Sequence, residues 1–269
     1  MSTKGIFTAL SGAMAQSNRL DTIANNIANA NTTAFKKDRQ VFKEYLTEAE
    51  KPQDLIQSPR IPASIESFYD HRGGDKSYVN SVGTFTDFSQ GSLKPTSNAM
   101  DMAINGPGFF EVLTPNGVRL TRSGMFKTDV NGRLTTKQGF PVLSAGVGTP
   151  GAARVINTGG QALTVSQNGD IYSQGKSLGK ISLVNVTKPD QLFKEGNSLY
   201  VVKDPVNNGA TEASQAQVLQ GFVEQSNVNI VAEMTNMISA TRTFESTQKA
   251  IKAFDTMNGR LVNDVPRVK

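Results

Sequence analysis

KGIFTALSGAMAQSNRLDTIANNIANANTTAF, residues 4–35, is the stretch whose period decides the fold. Steps of four and three along it land on Ile6, Leu10, Ala13, Ser17, Leu20, Ala24 and Ile27, of which only Ser17 is polar. An apolar residue every 3.5 positions is the seam of a helix lying along another helix. Ser2 or Thr3 can cap its start. Asn25, Asn26, Asn29 and Asn31 favour an ending, because their short amides bond nearby backbone in non-helical conformations. An assembly helix is expected within residues 1–35.

Such a helix needs a partner, and the far end of the chain offers one. The same steps there give Ile230, Met234, Met237, Thr241, Phe244, Gln248, Ile251, Phe254, Met257 and Leu261, interrupted only by Thr241 and Gln248. Gly259 is the first helix-weakening residue and Pro266 closes the segment, while Asn227 or Asn229 can cap its start. The spacing predicts a second assembly helix in 228–269 that packs with 1–35. Two surface helices covering a globular core are the alternative. Placement at opposite termini, a narrow seam, and methionine and threonine along it favour the pair. Neither helix is expected to be stable alone.

Between about 78 and 204 the pattern switches to short strands and tight turns. Asn116-Gly117, Asn131-Gly132 and Asn168-Gly169 each lie between apolar or alternating runs and are read as type I′ hairpin turns. Phe109–Leu113, Met125–Val130, Arg133–Thr136, Phe140–Leu143, Ile181–Val186 and Leu199–Val202 are the expected strands. Residues 36–77, with Pro52, Pro59, Pro62 and Gly73-Gly74, are read as an extended connector, and 205–227 as the return connector. The fold class is α+β: paired, coiled-coil-like terminal helices with an inserted, mainly antiparallel β domain.

Composition narrows the function. Of 269 residues, 37% are apolar and 19% charged, which is enough for a core. The net charge of +5 is spread out, and its densest point, Lys36, Lys37, Arg39 and Lys43, contains Asp38. Tryptophan is absent and no basic stripe with interleaved aromatics occurs, which argues against nucleic acid. Cysteine is absent and His71 is the single histidine, so zinc clusters and thiol nucleophiles are ruled out and a Ser-His-Asp triad would have to use a polar turn. Paired carboxylates for glycoside chemistry remain open among 23 acids, with nothing to single any out. Gly146-Val147-Gly148-Thr149-Pro150-Gly151 satisfies the dinucleotide spacing but reads as a loop, because Pro150 and Gly159-Gly160 leave no room for the required helix. Lys4 to Ala15 imitates a secretory leader, yet its period continues past the cleavage point, so it reads as retained structure. No apolar run approaches a membrane span. No catalytic residue, cofactor or metal site is expected.

Three segments together resemble a known family. Leu20-Asp21-Thr22-Ile23-Ala24-Asn25-Asn26-Ile27-Ala28-Asn29-Ala30-Asn31-Thr32-Thr33-Ala34-Phe35-Lys36 resembles the amino-terminal signature of bacterial flagellar rod and hook proteins. Gly91-Ser92-Leu93, Asp101–Ile104, Gly106-Pro107-Gly108-Phe109-Phe110 and Thr121-Arg122-Ser123-Gly124 resemble the family's central β region. Ser226–Met234 and Arg242-Thr243-Phe244-Glu245 resemble its carboxy-terminal helix. The family usually carries Gly at the place of Ala34, so a positive φ there would strain this chain.

The resemblance implies a non-enzymatic subunit of the basal-body rod, more similar to the proximal-rod F-type than to the distal-rod G-type. It implies type III export without leader cleavage and polymerisation into the periplasm-spanning drive shaft for motility. Its partners would be copies of itself and other rod and hook-family subunits, with no nucleic acid, small-molecule substrate or membrane insertion. The expected interface is Ile6, Leu10, Ala13, Leu20, Ala24, Asn25, Asn26, Ile27, Asn29, Asn31 and Phe35 with Ile230, Met234, Met237, Phe244, Ile251 and Phe254. The competing classes are a distal-rod subunit, a secreted carbohydrate-active β protein, and a basic adaptor on nucleic acid or anionic lipid.

Overall fold

The computed structural model describes residues 4–46, 77–146, 151–203 and 210–264. The chain divides into two units. Met1–Asn25, Asp38–Phe85 and Val231–Lys269 make one; Asn26–Lys37 and Thr86–Ile230 make the other. Pro52, Pro59, Pro62, His71, Gly73 and Gly74, together with Ser2, Thr3 and Pro266, lie outside the described residues.

The first unit holds the terminal helices, α1 (Lys4–Ala28) and α2 (Ile230–Asp264), packed together. Gly5 fixes their sense. A Cβ there would lie 3.6 Å from the Phe254 ring, so the start of α1 faces the far part of α2 and the helices run antiparallel. At 1.5 Å per residue the helices are about 37 and 52 Å long, and α2 outruns its partner. Threonine on α2 is accommodated by back-bonding: Thr235, Thr241, Thr243, Thr247 and Thr256 each donate to the carbonyl four residues earlier. The described ends of the segment after α1 are strands, β1 (Asp38–Leu46) and β2 (Ser77–Thr86), which pair.

The second unit carries β3 (Leu93–Pro95), β4 (Met102–Asn105), β5 (Phe109–Thr114), β6 (Gly117–Thr121), β7 (Phe126–Thr128) and β8 (Leu134–Thr136). There follow β9 (Leu163–Val165), β10 (Asp170–Ser173), β11 (Lys176–Lys180), β12 (Leu183–Val186), β13 (Leu192–Gly196) and β14 (Leu199–Val202). Last come β15 (Ala210–Glu212), β16 (Gln217–Gln220) and β17 (Phe222–Glu224). Six strands in the order β13-β14-β6-β5-β12-β15 form an antiparallel sheet, and β11-β10-β9 a second. The central strand β5 is buried on both faces. Phe110 and Val112 enter the main core with Met102, Ile104, Leu134 and Ile171, while Phe109 joins Leu120, Val184 and Tyr200 in a second cluster. Phe88, Phe109 and Tyr200 meet edge to face there at 5.2–5.8 Å, the arrangement ring quadrupoles favour. Residues 147–150 of the glycine-rich motif lie outside the described residues, and among the described residues the next element after Gly146 is one turn of 3-10 helix at Gly151–Arg154 rather than the long helix a dinucleotide site requires.

The Asn-Gly pairs mark turns, but not of the expected type. At Asn131-Gly132 the amide of Asp129 donates to Arg133 and that of Gly132 to Asp129, which closes a three-residue loop. Asn168-Gly169 does the same between Ser166 and Asp170, as does Gly139 between Thr136 and Phe140. Only the glycine of each loop has φ > 0, because a three-residue loop asks for the left-handed conformation at its last position alone. At Asn116-Gly117 the loop is Pro115-Asn116 and Gly117 already belongs to β6. Paired positive φ angles, the mark of type I′, occur instead at Gln174-Gly175 and Asn197-Ser198, each bridging two strands with two residues.

Candidate assembly interface

Each terminal helix turns one stripe inward and leaves another outside. On α1 the buried residues are Ala13, Ala15, Ile23 and Asn26. Ile6, Leu20 and Ile27 are half-buried, and Leu10, Ala24 and Asn25 are exposed. The inward face is thus centred about one position before the 3.5-residue seam. Beyond the helix Asn29 and Phe35 are half-buried and Asn31 is exposed. On α2 the half-buried positions include Met237, Phe244 and Ile251, around a fully buried Ala240, whereas Ile230, Met234 and Phe254 are exposed. Ile23 and Ala240 lie off the seam positions, and a period alone does not tell which flank of a stripe turns inward.

Outside, Phe7, Leu10 and Met14 are 56, 45 and 62% exposed, and Val231, Met234 and Ile238 are 75, 50 and 55% exposed. Both trios recur at intervals of three and four, so each is a continuous apolar stripe on one helix face.

The roots of the helices are fixed inside the second unit. After α1 the amides of Ala30 and Thr32 turn back onto Ile27 and Asn29, and Ala34 then adopts φ +57° while 1% exposed. That is the positive φ anticipated from the missing family glycine. Its amide donates to the carbonyl of Glu224, 2.8 Å away. Lys36 follows, fully buried, with Nζ 2.5 Å from Glu224 Oε1 and 2.7 Å from the Ser89 carbonyl. Glu224 Oε1 also accepts from the Gly91 amide at 2.9 Å, and Arg122 Nε stands 3.7 Å from Oε2. Arg122 donates through Nη2 to the Gly106 carbonyl at 2.9 Å and lies over the Phe109 ring. Burial pushes both the Lys36 ammonium and the Arg122 guanidinium below their ordinary values, against the opposing pull of Glu224.

Asn227 completes the root. Its Oδ1 accepts from the Lys37 amide at 2.8 Å, its Nδ2 donates to the Asp87 carbonyl at 2.8 Å, and its own amide donates to the Phe35 carbonyl. Asn229, not Asn227, therefore sits immediately before α2, at the cap position. The glycines of the central motif allow close backbone approach here: a Cβ on Gly91 would lie 2.0 Å from the Gln225 carbonyl oxygen, and one on Gly124 would lie 1.5 Å from that of Met102. The basic cluster at 36–43 is broken up, since Lys36 faces Glu224 and Lys37 lies 3.7 Å from Asp87. Sequence missed the Lys36–Glu224–Arg122 group because its members are 188 and 86 positions apart in the chain, where no local period connects them.

Comparison with known proteins matches this plan segment by segment. Residues 6–36 match the family described as flagella basal body rod protein, 103–173 the flagellar hook protein FlgE/F/G D1 domain, and 219–264 the flagellar basal body rod FlgEFG protein C-terminal region. The chain is 32% identical over 261 residues to the flagellar basal-body rod protein FlgG of Buchnera aphidicola, covering 95% of this chain and 97% of that one. It is 35% identical over 245 residues to FlgF of Caulobacter vibrioides (91% and 90% covered), and 31% identical over 272 residues to FlgG of Bacillus subtilis (97% and 98% covered). No described helix is long and apolar enough to cross a membrane. The carbohydrate-active and nucleic-acid readings give way to these matches. With its paired terminal helices around an inserted β unit, the chain belongs to the flagellar basal-body rod FlgE/F/G family and is a non-enzymatic structural subunit of the rod.

Proposed function

We propose that this chain polymerises in the proximal rod, joining copies of itself and other rod and hook-family subunits through its terminal helices. The exposed stripes Phe7-Leu10-Met14 and Val231-Met234-Ile238 carry the reading. Apolar stripes at helical spacing on a single chain have surface to lose in an assembly, at roughly 25 cal/mol per Å² buried. Head-to-tail contacts that do not close on themselves generate a helical tube, the form a drive shaft requires. Export leaves the amino terminus in place on this reading, because the segment that imitates a leader is α1 itself.

Outward positions make the test clean. Met14→Asp and Met234→Asp are expected to leave the isolated protein folded by circular dichroism and to abolish its incorporation into purified basal bodies. Normal incorporation of both variants would remove the role of the stripes. Similarity of the Asn227-Val228-Asn229 motif and of Glu233–Ile238 to the proximal type supports the position. The near-complete coverage of FlgG relatives favours a distal subunit as the second reading. Electron cryotomography of a strain lacking the chain separates them: the rod ends at its base for a proximal subunit, and keeps its proximal segment for a distal one.

A further inference from the structure

We propose that Lys36, Glu224 and Arg122 form a conditional lock, in which the segment leaving α1 and the strand leading to α2 dock into the β unit only together. Each arm brings a charge that the other must neutralise. Lys36 belongs to the first arm and Glu224 to the second, and both side chains are fully buried. A lone buried ammonium or carboxylate is far costlier than the pair. Arg122, from the body of the β unit, adds a second positive charge 3.7 Å from Glu224 but makes no hydrogen bond to it, its Nη2 going to Gly106, so Lys36 is the cation in direct contact. Lys36 in turn donates to Ser89, and Glu224 accepts from Gly91, so both arms also grip one segment, which Gln90 and Phe88 anchor to the body of the β unit. Backbone bonds join the arms as well: Ala34 donates to Glu224 and Asn227 to Phe35, while Gln225 donates to Ser92 of the β unit.

The inference does not depend on the position of the subunit in the rod. It concerns how the two helix roots come to lie side by side before the helices meet other copies. The test is hydrogen exchange on the full-length chain. Lys36→Met, a change in the first arm, is expected to speed exchange at the amides of Gln225 and Asn227, in the second, by tenfold or more. Glu224→Gln is expected to do the same at Phe35 and Lys37. The β5–β6 hairpin amides should change less than twofold, and Lys36→Arg should restore most of the protection. Loss confined to the mutated arm would overturn the lock and leave Lys36 and Glu224 as local packing. If a variant fails to fold, the wild-type chain still decides: one shared opening gives Ala34, Gln225 and Asn227 protection factors within about twofold, and a spread above tenfold refutes it.

Discussion

At Ala34 the chain holds a residue with a Cβ in a backbone region that glycine occupies more readily. A left-handed alanine costs roughly 1–2 kcal/mol. Ala34→Gly removes that cost but raises the entropy of the unfolded chain by about 0.4–1 kcal/mol and gives up a buried methyl worth about 0.8 kcal/mol. The terms nearly cancel, so the expected change in urea-unfolding stability is under about 1 kcal/mol in either direction. Ala34→Val is expected to destabilise by about 2–3 kcal/mol, because a β-branched side chain fits neither the conformation nor the site, which is 1% exposed. The strain was legible only through the family pattern. Nothing in the composition of Thr32-Thr33-Ala34-Phe35 demands φ > 0. The central glycines were legible in the same way, and the structure gives the reason: at Gly91 and Gly124 the space of a Cβ is taken by a carbonyl.

Among the elements, period was the reliable guide and geometry the unreliable one. Steps of three and four found both helices, because burial of one face imposes them. They did not place the inward face, since Gly5, Ala9 and Gly12 have too little apolar surface to declare a side. Asn-Gly found three hairpins but misjudged their turns, and Asn197-Ser198 closes a tight hairpin with no glycine in its two-residue loop. Loop length, which decides turn type, depends on strand register and cannot be read from a dipeptide. Helix α1 is a poor helix former in its own right, with Gly5, Gly12, Asn18 and several Ser and Thr. No atom lies within 4 Å of a Cβ placed on Gly12, and its φ is not positive. Gly12→Ala is therefore expected to stabilise α1 by about 0.5–1 kcal/mol, seen as greater helicity and a later thermal loss of the helical signal.

In the molecule as a whole, packing is unevenly distributed. The large buried side chains, Tyr200, Phe110, Met102, Ile104 and Leu134 among them, belong to the β unit, whereas α2 has just one fully buried residue among those described, Ala240. Limited proteolysis of the dilute monomer is expected to remove the helices first and leave a resistant fragment of about Thr86–Ile230, identified by mass spectrometry. Equal resistance along the chain would contradict this distribution. Asn227 has a further consequence for the roots of the helices. The chain passes between its units at Asn25–Asn26, Lys37–Asp38, Phe85–Thr86 and Ile230–Val231, and the Asn227 side chain fastens Lys37 and Asp87, at the second and third of these, to the segment that leads into the fourth. Within the β unit, three of the four segments that leave it therefore set out from a single amide, and removing that amide would release three roots at once.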